Sequence, residues 1–102
     1  MAALRPIDPR FTERAQAQLD AILTYIHEDN PAAAERVARA IRTAAEMLRY
    51  FPEAGRKGGA SGTREWVVRG QPYILVYEVL PVEPPVLVIL GVFHGARDTR
   101  KS

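Results

Sequence analysis

Three runs of β-branched, aliphatic and aromatic residues follow one another in the second half of the chain: G-T-R-E-W-V-V from Gly62, P-Y-I-L-V-Y-E-V from Pro72, and V-L-V-I-L-G-V-F-H-G-A-R from Val86. Such runs, parted by Gly- and Pro-bearing breaks, predict three consecutive strands over Thr63–Arg69, Pro72–Leu80 and Val86–Phe93. Arg69-Gly70-Gln71-Pro72 fits a tight hairpin turn. Pro81-Val82-Glu83-Pro84-Pro85 is stiff and poor in N–H donors, and blunts edge pairing there. In the middle strand, Tyr73, Leu75, Tyr77 and Val79 alternate with Ile74, Val76, Glu78 and Leu80, so both faces are largely apolar. One face has a helical layer to pack on. The other needs a cover, from more of this chain or from a partner.

The first half carries helical periodicity. Ala3–Ile7 reads as a short first strand at an edge or ending at Pro6, which has no N–H to donate. Asp8-Pro9 reads as a helix start, with Asp8 as cap and Pro9 in the first turn. Phe11, Ala15, Leu19, Ile22 and Ile26 then form one apolar stripe. Asn30 ends this helix or caps the next, and Pro31 suits the first turn of the second. There the stripe is Ala33, Val37, Ile41, Ala44, Leu48 and Phe51, with Glu35, Arg36, Arg39, Arg42 and Glu46 on the other faces. Two such helices joined by a short turn predict an antiparallel hairpin. Pro52 ends the second helix, and F-P-E-A-G-R-K-G-G-A-S-G-T follows as a loop. It is either a flexible connection or a mobile basic lobe through Arg56 and Lys57. It lacks the G-x-x-x-x-G-K-[ST] spacing of a phosphate-binding loop and leads into a strand.

With 102 residues, the expectation is a single domain over residues 1–102. There is no cysteine, which excludes disulfides and thiolate metal sites. His27 and His94 lack ligand spacing, so no metal or cofactor site is expected. The N-terminus has no long apolar run, so neither signal peptide nor membrane span is expected and the cytoplasm is the default location. The formal charge is +2, and the only lysines are Lys57 and Lys101 against twelve arginines. Arginine suits carboxylates and phosphates. The bias reflects either genomic base composition or a partner that is acidic or a nucleic acid. A charge of +2 is too small for autonomous, sequence-specific DNA binding.

The order of these elements resembles the RelE/ParE superfamily of bacterial type II toxin–antitoxin systems, whose members are often described as plasmid stabilization proteins. The likeness runs from Leu4 to Asp98. It rests on the first strand, the helical hairpin turning at N-P-A-A-A, F-P-E-A-G-R after the second helix, G-T-R-E opening a strand, P-Y-I-L-V-Y-E-V, and I-L-G-V-F-H-G-A-R. The resemblance implies an α+β fold: an N-terminal strand, the helical hairpin, and a three-stranded antiparallel meander in one sheet packed on the helices. It also implies a cognate ParD-like or RelB-like antitoxin whose C-terminal segment covers apolar toxin surface by helix docking or strand addition.

The superfamily divides by mechanism. RelE-like members cleave messenger RNA on the ribosome with basic strand residues, whereas ParE members poison DNA gyrase without evident nuclease chemistry. Where RelE-like members place two lysines, this chain aligns Glu65 and Val67. Where they place an arginine after an aromatic, it aligns Ile74 after Tyr73. The resemblance therefore implies a ParE-like gyrase inhibitor acting by binding, with a ribosome-dependent nuclease or an inactive antitoxin-binding member as alternatives. His94, Arg97 and Arg64 are the candidate target contacts, and the candidate catalytic residues if the chain is a nuclease. Their structural alternatives are sheet capping for His94, solvated or ion-pair roles for Arg97, and a strand-end position for Arg64. Trp66 and Tyr77 are the candidate antitoxin-binding residues, with core packing as the alternative for both.

Overall fold

A computed structural model describes residues 5–97. The elements run β1 (Asp8–Phe11), α1 (Glu13–Asp29), α2 (Pro31–Tyr50), β2 (Arg56–Lys57), β3 (Arg64–Val67), β4 (Tyr73–Leu80) and β5 (Val86–His94), closed by a 3-10 turn at Gly95–Arg97. One five-stranded sheet has the order β1-β5-β4-β3-β2. The three-strand meander and the helical hairpin are as the apolar pattern predicts, and the fold is α+β. Two strands differ. The loop after α2 contains the short strand β2, paired antiparallel with β3. The first strand lies at Asp8–Phe11, not Ala3–Ile7, and runs parallel to β5. Residues 3 and 4 of that expected strand lie outside the described residues.

That displacement has a local cause. Asp8 does not cap α1, because its carboxylate pairs with Arg10 at 2.8 Å within the strand. Pro9 is tolerated because β1 is an edge strand. Thr12 is the N-cap instead: its Oγ1 accepts from the Ala15 N–H at 3.0 Å. The Thr12 N–H donates to the Ile89 carbonyl at 3.1 Å, so the helix starts where β1 leaves β5. Asn30 alone separates the helices. Its N–H donates to the Ile26 carbonyl at 2.9 Å and its Oδ1 accepts from the Ala33 N–H at 3.0 Å, so one residue ends α1 and caps α2. In α2, Ala34, Val37, Ile41, Ala44, Ala45 and Leu48 face inward. Phe51, placed on the stripe by spacing, is the C-cap and is 46% exposed.

The helices pack on one sheet face, against Tyr73, Leu75, Tyr77, Leu87, Ile89 and Val92. β5 keeps this face apolar by a bulge: Val76 pairs with Gly91 but Tyr77 with Ile89, leaving Leu90 as the extra residue. Ile89 and Val92 thereby share a face although three residues apart. Beyond the end of β1, α1 completes the edge of β5: the Gln18 Oε1 accepts from the Val92 N–H at 2.9 Å. The other sheet face, which the alternation leaves without a helical layer, carries Val76, Leu80, Val86, Val88 and Phe93, all partly buried.

Tyr77 ties the sheet to the loop after α2. Its hydroxyl donates to the Pro52 carbonyl at 2.8 Å and accepts from the buried Gly55 N–H at 2.9 Å. A Cβ on Gly55 would lie 2.6 Å from that oxygen, so only glycine fits. Burial pushes the phenol pKa above its ordinary value, against the opposing pull of the Gly55 N–H and the Arg64 guanidinium. Tyr77→Phe should lose about 1–3 kcal/mol, because it leaves the Gly55 donor buried and unpaired. The pH dependence follows from the sign of the shift. A folded-state pKa above the unfolded value of about 10 makes the contribution of the neutral phenol complete below that value. It is lost as pH rises through the folded pKa. Urea unfolding from pH 7 to 11 should therefore show a constant gap between wild type and Tyr77→Phe that closes only at the alkaline end.

Candidate functional site

The rim at the end of β5 is built by register. Tyr73 opens β4 opposite His94, and the Gly95 N–H donates to the Pro72 carbonyl at 2.7 Å, holding the terminal turn against the β3–β4 connection. The His94 Nδ1 accepts from the Ala96 N–H at 3.1 Å, and its ring stands edge-on to Tyr73 with centroids 5.4 Å apart. The imidazole thus caps the strand end. In the neutral ring its proton sits on Nε2, the nitrogen left for an outside partner. Arg97 ends the terminal turn, and its side chain lies outside the described residues.

Arg64 is not part of this rim. It pairs with Tyr77, four residues along β4 from the level of His94, or about 13 Å of strand. Its Nη1 donates to the Gly55 carbonyl at 2.8 Å and the Glu53 carbonyl at 3.3 Å. The guanidinium fastens the loop after α2, and His94 and Arg64 are not brought together. Tyr77, a candidate antitoxin contact with core packing as its alternative, takes the packing position. It is fully buried in the core, since its strand alternation points it at the helices, and it presents nothing to a partner. Trp66 is half-buried and packs against the same core from its edge.

Two hollows lie beside these residues. One, of about 540 Å³, sits where β3, β4 and β5 meet the 59–63 loop and is lined by Arg14, Thr63, Glu65, Val76, Leu90 and Phe93 among others. Glu65 is 7% exposed and pairs with Arg56 at 3.1 Å. The Arg14 guanidinium carbon lies 5.6 Å from the Phe93 ring centroid, within cation–π range. Gly91 lets that ring lie across the sheet, because a Cβ there would collide with it.

The second hollow, of about 630 Å³, is a groove between α2 and β3, lined by Arg36, Arg39, Ala40, Thr43, Ala44, Met47, Trp66 and Arg69. Its floor is apolar and its rim cationic. Periodicity along α2 does not reveal it. The available signal is the small-residue row Ala40 and Ala44 beside Arg36 and Arg39. That row becomes a groove only when tertiary packing sets Trp66 and Arg69 across from it. Among the described residues, no group of three His, Asp or Glu could hold a metal ion, and no helix is long and apolar enough to cross a membrane.

Comparison with known proteins places this geometry. Residues 10–99 match the family described as the ParE toxin of the type II toxin–antitoxin system parDE. The chain is 44% identical over 70 residues to putative toxin Y4kP of Sinorhizobium fredii, covering 69% of this chain and 73% of that protein. It is 40% identical over 87 residues to toxin RelE2 of Caulobacter vibrioides, covering 85% and 93%. Among solved structures, the chromosomal ParDE toxin–antitoxin system of P. aeruginosa superposes with a TM-score of 0.75 at 22% identity, over 86% of this chain and 95% of that one. The toxin–antitoxin complex RelBE2 of Mycobacterium tuberculosis gives 0.60 at 25% identity, over 92% and 97%. With nearly the whole of its sheet and hairpin inside the matched span, this chain belongs to the ParE toxin family of type II toxin–antitoxin systems.

Proposed function

We propose that this toxin acts by binding rather than by turnover, engaging DNA gyrase and holding it in a DNA-cleaved state in the cytoplasm, and that a cognate antitoxin neutralises it. The observation that carries the reading is the chemistry of the strands. Ribonuclease cleavage needs a base for the 2′-OH, cations for the developing phosphorane charge and an acid for the leaving oxygen. At the positions aligned with the RelE-like lysines stand Glu65, a nearly buried carboxylate, and Val67, which is 53% exposed. Ile74 stands where an arginine would be needed. The Arg64 guanidinium is held by loop carbonyls, well along the strand from His94. The match to the ParE toxin family supports the same reading, and the toxin–antitoxin complexes among the superposing structures support an antitoxin partner. His94 and Arg97, at the end of β5, are the proposed target contacts. Arg64 acts behind them by fixing the loop.

In a supercoiling and cleavage assay, purified toxin should inhibit gyrase in a dose-dependent way and trap cleaved DNA, and added antitoxin should reverse both. Intact supercoiling at excess toxin would sink the reading. Cleavage of messenger in a translating extract, lost on His94→Ala, would move the assignment to a ribosome-dependent nuclease.

Arg64→Ala and Arg97→Glu should separate support from contact. Arg64→Ala should lower stability by about 1–2 kcal/mol through the lost carbonyl bonds, with the inhibition per folded molecule retained. Arg97→Glu should leave the melting transition in place and raise the half-inhibitory concentration about tenfold, the size of one lost charge pair at an interface.

A further inference from the structure

The outer face of α2 carries charge that the fold does not use. Arg36, Arg39 and Arg69 line the groove beside β3, and Arg39 also lines an adjoining hollow on α2 with Arg42. All four are exposed, and among the described residues none has an ion-pair or hydrogen-bond partner. Arg10, Arg49 and Arg56 differ, since each closes on one carboxylate, and Arg64 holds carbonyls. Arg36, Arg39 and Arg42 recur every three residues, which spreads them over about 120° of helix surface and about 9 Å of its axis. Thr43 lines both hollows and adds a hydroxyl to this face. Glu46 is the acid in these linings, and Arg49 holds it at 2.9 Å. Glu35, the other exposed acid of α2, lines neither hollow. The face is thus locally cationic although the formal charge of the chain is only +2.

This face meets the rim at the end of β5. Arg69 lies in the β3–β4 connection, and the Pro72 carbonyl of that connection accepts from the Gly95 N–H of the terminal turn at 2.7 Å. We infer that Arg36, Arg39, Arg42 and Arg69 lie on the phosphate backbone of duplex DNA, without regard to base sequence. The inference rests on the gyrase reading above, which sets cleaved DNA beside the toxin: the rim meets the enzyme, and the arginine face meets the DNA that the enzyme holds. Duplex DNA carries one charge per about 1.7 Å of axis, so a span of about 9 Å faces roughly five phosphates. Guanidinium forks and a threonine hydroxyl are donors that phosphate oxygens take, and such contacts position a protein without reading bases. Unpaired guanidinia spread over two elements suit a line of charge better than a single carboxylate. So few contacts bind weakly alone, and they gain force when the rim already holds the toxin at the complex.

Fluorescence anisotropy of a labelled duplex of about 30 base pairs, roughly three helical turns, reads the contact with the whole toxin and no gyrase present. Kd should be the same on duplexes of unrelated sequence. Four phosphate contacts give a log–log slope of Kd against salt of about 3.6, so Kd should rise about 150-fold between about 50 and 200 mM salt. Arg36→Gln, Arg39→Gln, Arg42→Gln and Arg69→Gln, each alone, should lower the slope by about 0.9 and raise Kd about tenfold at about 50 mM salt. Glutamine keeps the helix propensity of arginine, so the melting transition should stay in place. Lys57→Gln removes the same charge from β2, away from this face, and should change neither slope nor Kd.

Anisotropy that stays flat at about 50 mM salt would overturn the inference. So would a slope that Lys57→Gln lowers as much as the arginine variants do, since binding would then follow net charge and not this face. Poly-glutamate that displaces the duplex at equal charge concentration would assign the face to carboxylates, and tighter binding to duplex RNA would assign it to an A-form target; either result overturns the DNA contact. The gyrase assay is independent of these. A toxin that binds duplex in the stated pattern yet leaves supercoiling intact overturns the target assignment and keeps the DNA contact. A toxin that traps cleaved DNA but binds no duplex keeps the target and overturns the contact.

Discussion

The extra residue of β5 at Leu90 sets the alternation of the strand on which β1, β4 and α1 all lean. β5 pairs with β1 on one side and β4 on the other, and α1 lies against it. Without the bulge, a strict period of two from Ile89 would point Val92 away from the helices and Gly91 toward them. With it, Leu87, Ile89 and Val92 all enter the core, and Gly91 falls on the opposite face, where Phe93 lies across it. The irregularity also frees the Val92 N–H from the ladder, and Gln18 accepts it. Strand register and helix docking are thus one constraint.

The parts of this fold legible in the sequence are those governed by local periodicity. The hairpin of helices, the Asn30 cap and the three-strand meander follow from spacing and from turn residues. What escaped was decided by pairing at a distance. β1 forms over Asp8–Phe11 because residues 86–89 lie beside it, and that competition is invisible in a Pro-containing stretch that also reads as a helix start. β2 is two residues long and exists only through Arg64 and Glu65. The bulge at Leu90 leaves no mark in a run of continuous apolar residues. Of the site residues, His94 was placed by its position at a strand end. The bonds that Tyr77 and Arg64 make were not legible, because their partners, the carbonyls and N–H of residues 52–55, come from a loop whose path the sequence does not specify.

The arginines show how one residue type is divided between fold and surface. Arg49 holds the entering chain: its Nε donates to the Ile7 carbonyl at 2.9 Å, and its own carbonyl accepts from the Ile7 N–H at 3.0 Å. Arg64 holds the loop after α2, and Arg56 compensates the carboxylate of Glu65. These are structural uses of a fork that makes several bonds at once. Arg36, Arg39 and Arg69 make none. Net charge, the quantity available from composition, averages over both classes and so understates the local field on the α2 side.

The same division bears on chemistry at the sheet. Glu65 lies almost wholly buried in a hollow on β3, with an arginine partner that is itself largely exposed. Removing Arg56 would take away the ion pair of a nearly buried carboxylate, which is costly. A carboxylate there repels a phosphate rather than gathering one, and its valine and isoleucine neighbours at 67 and 74 offer no donor. Converting this sheet to phosphate chemistry would require replacing the Glu65–Arg56 pair, adding a cation on the exposed strand and moving one beside His94. Those changes alter buried charge as well as surface, so the route between binding and cleavage on this fold passes through the stability of β3. Burial of Glu65 commits that part of β3 to packing, and the recognition proposed for this chain is assigned to the rim at the end of β5.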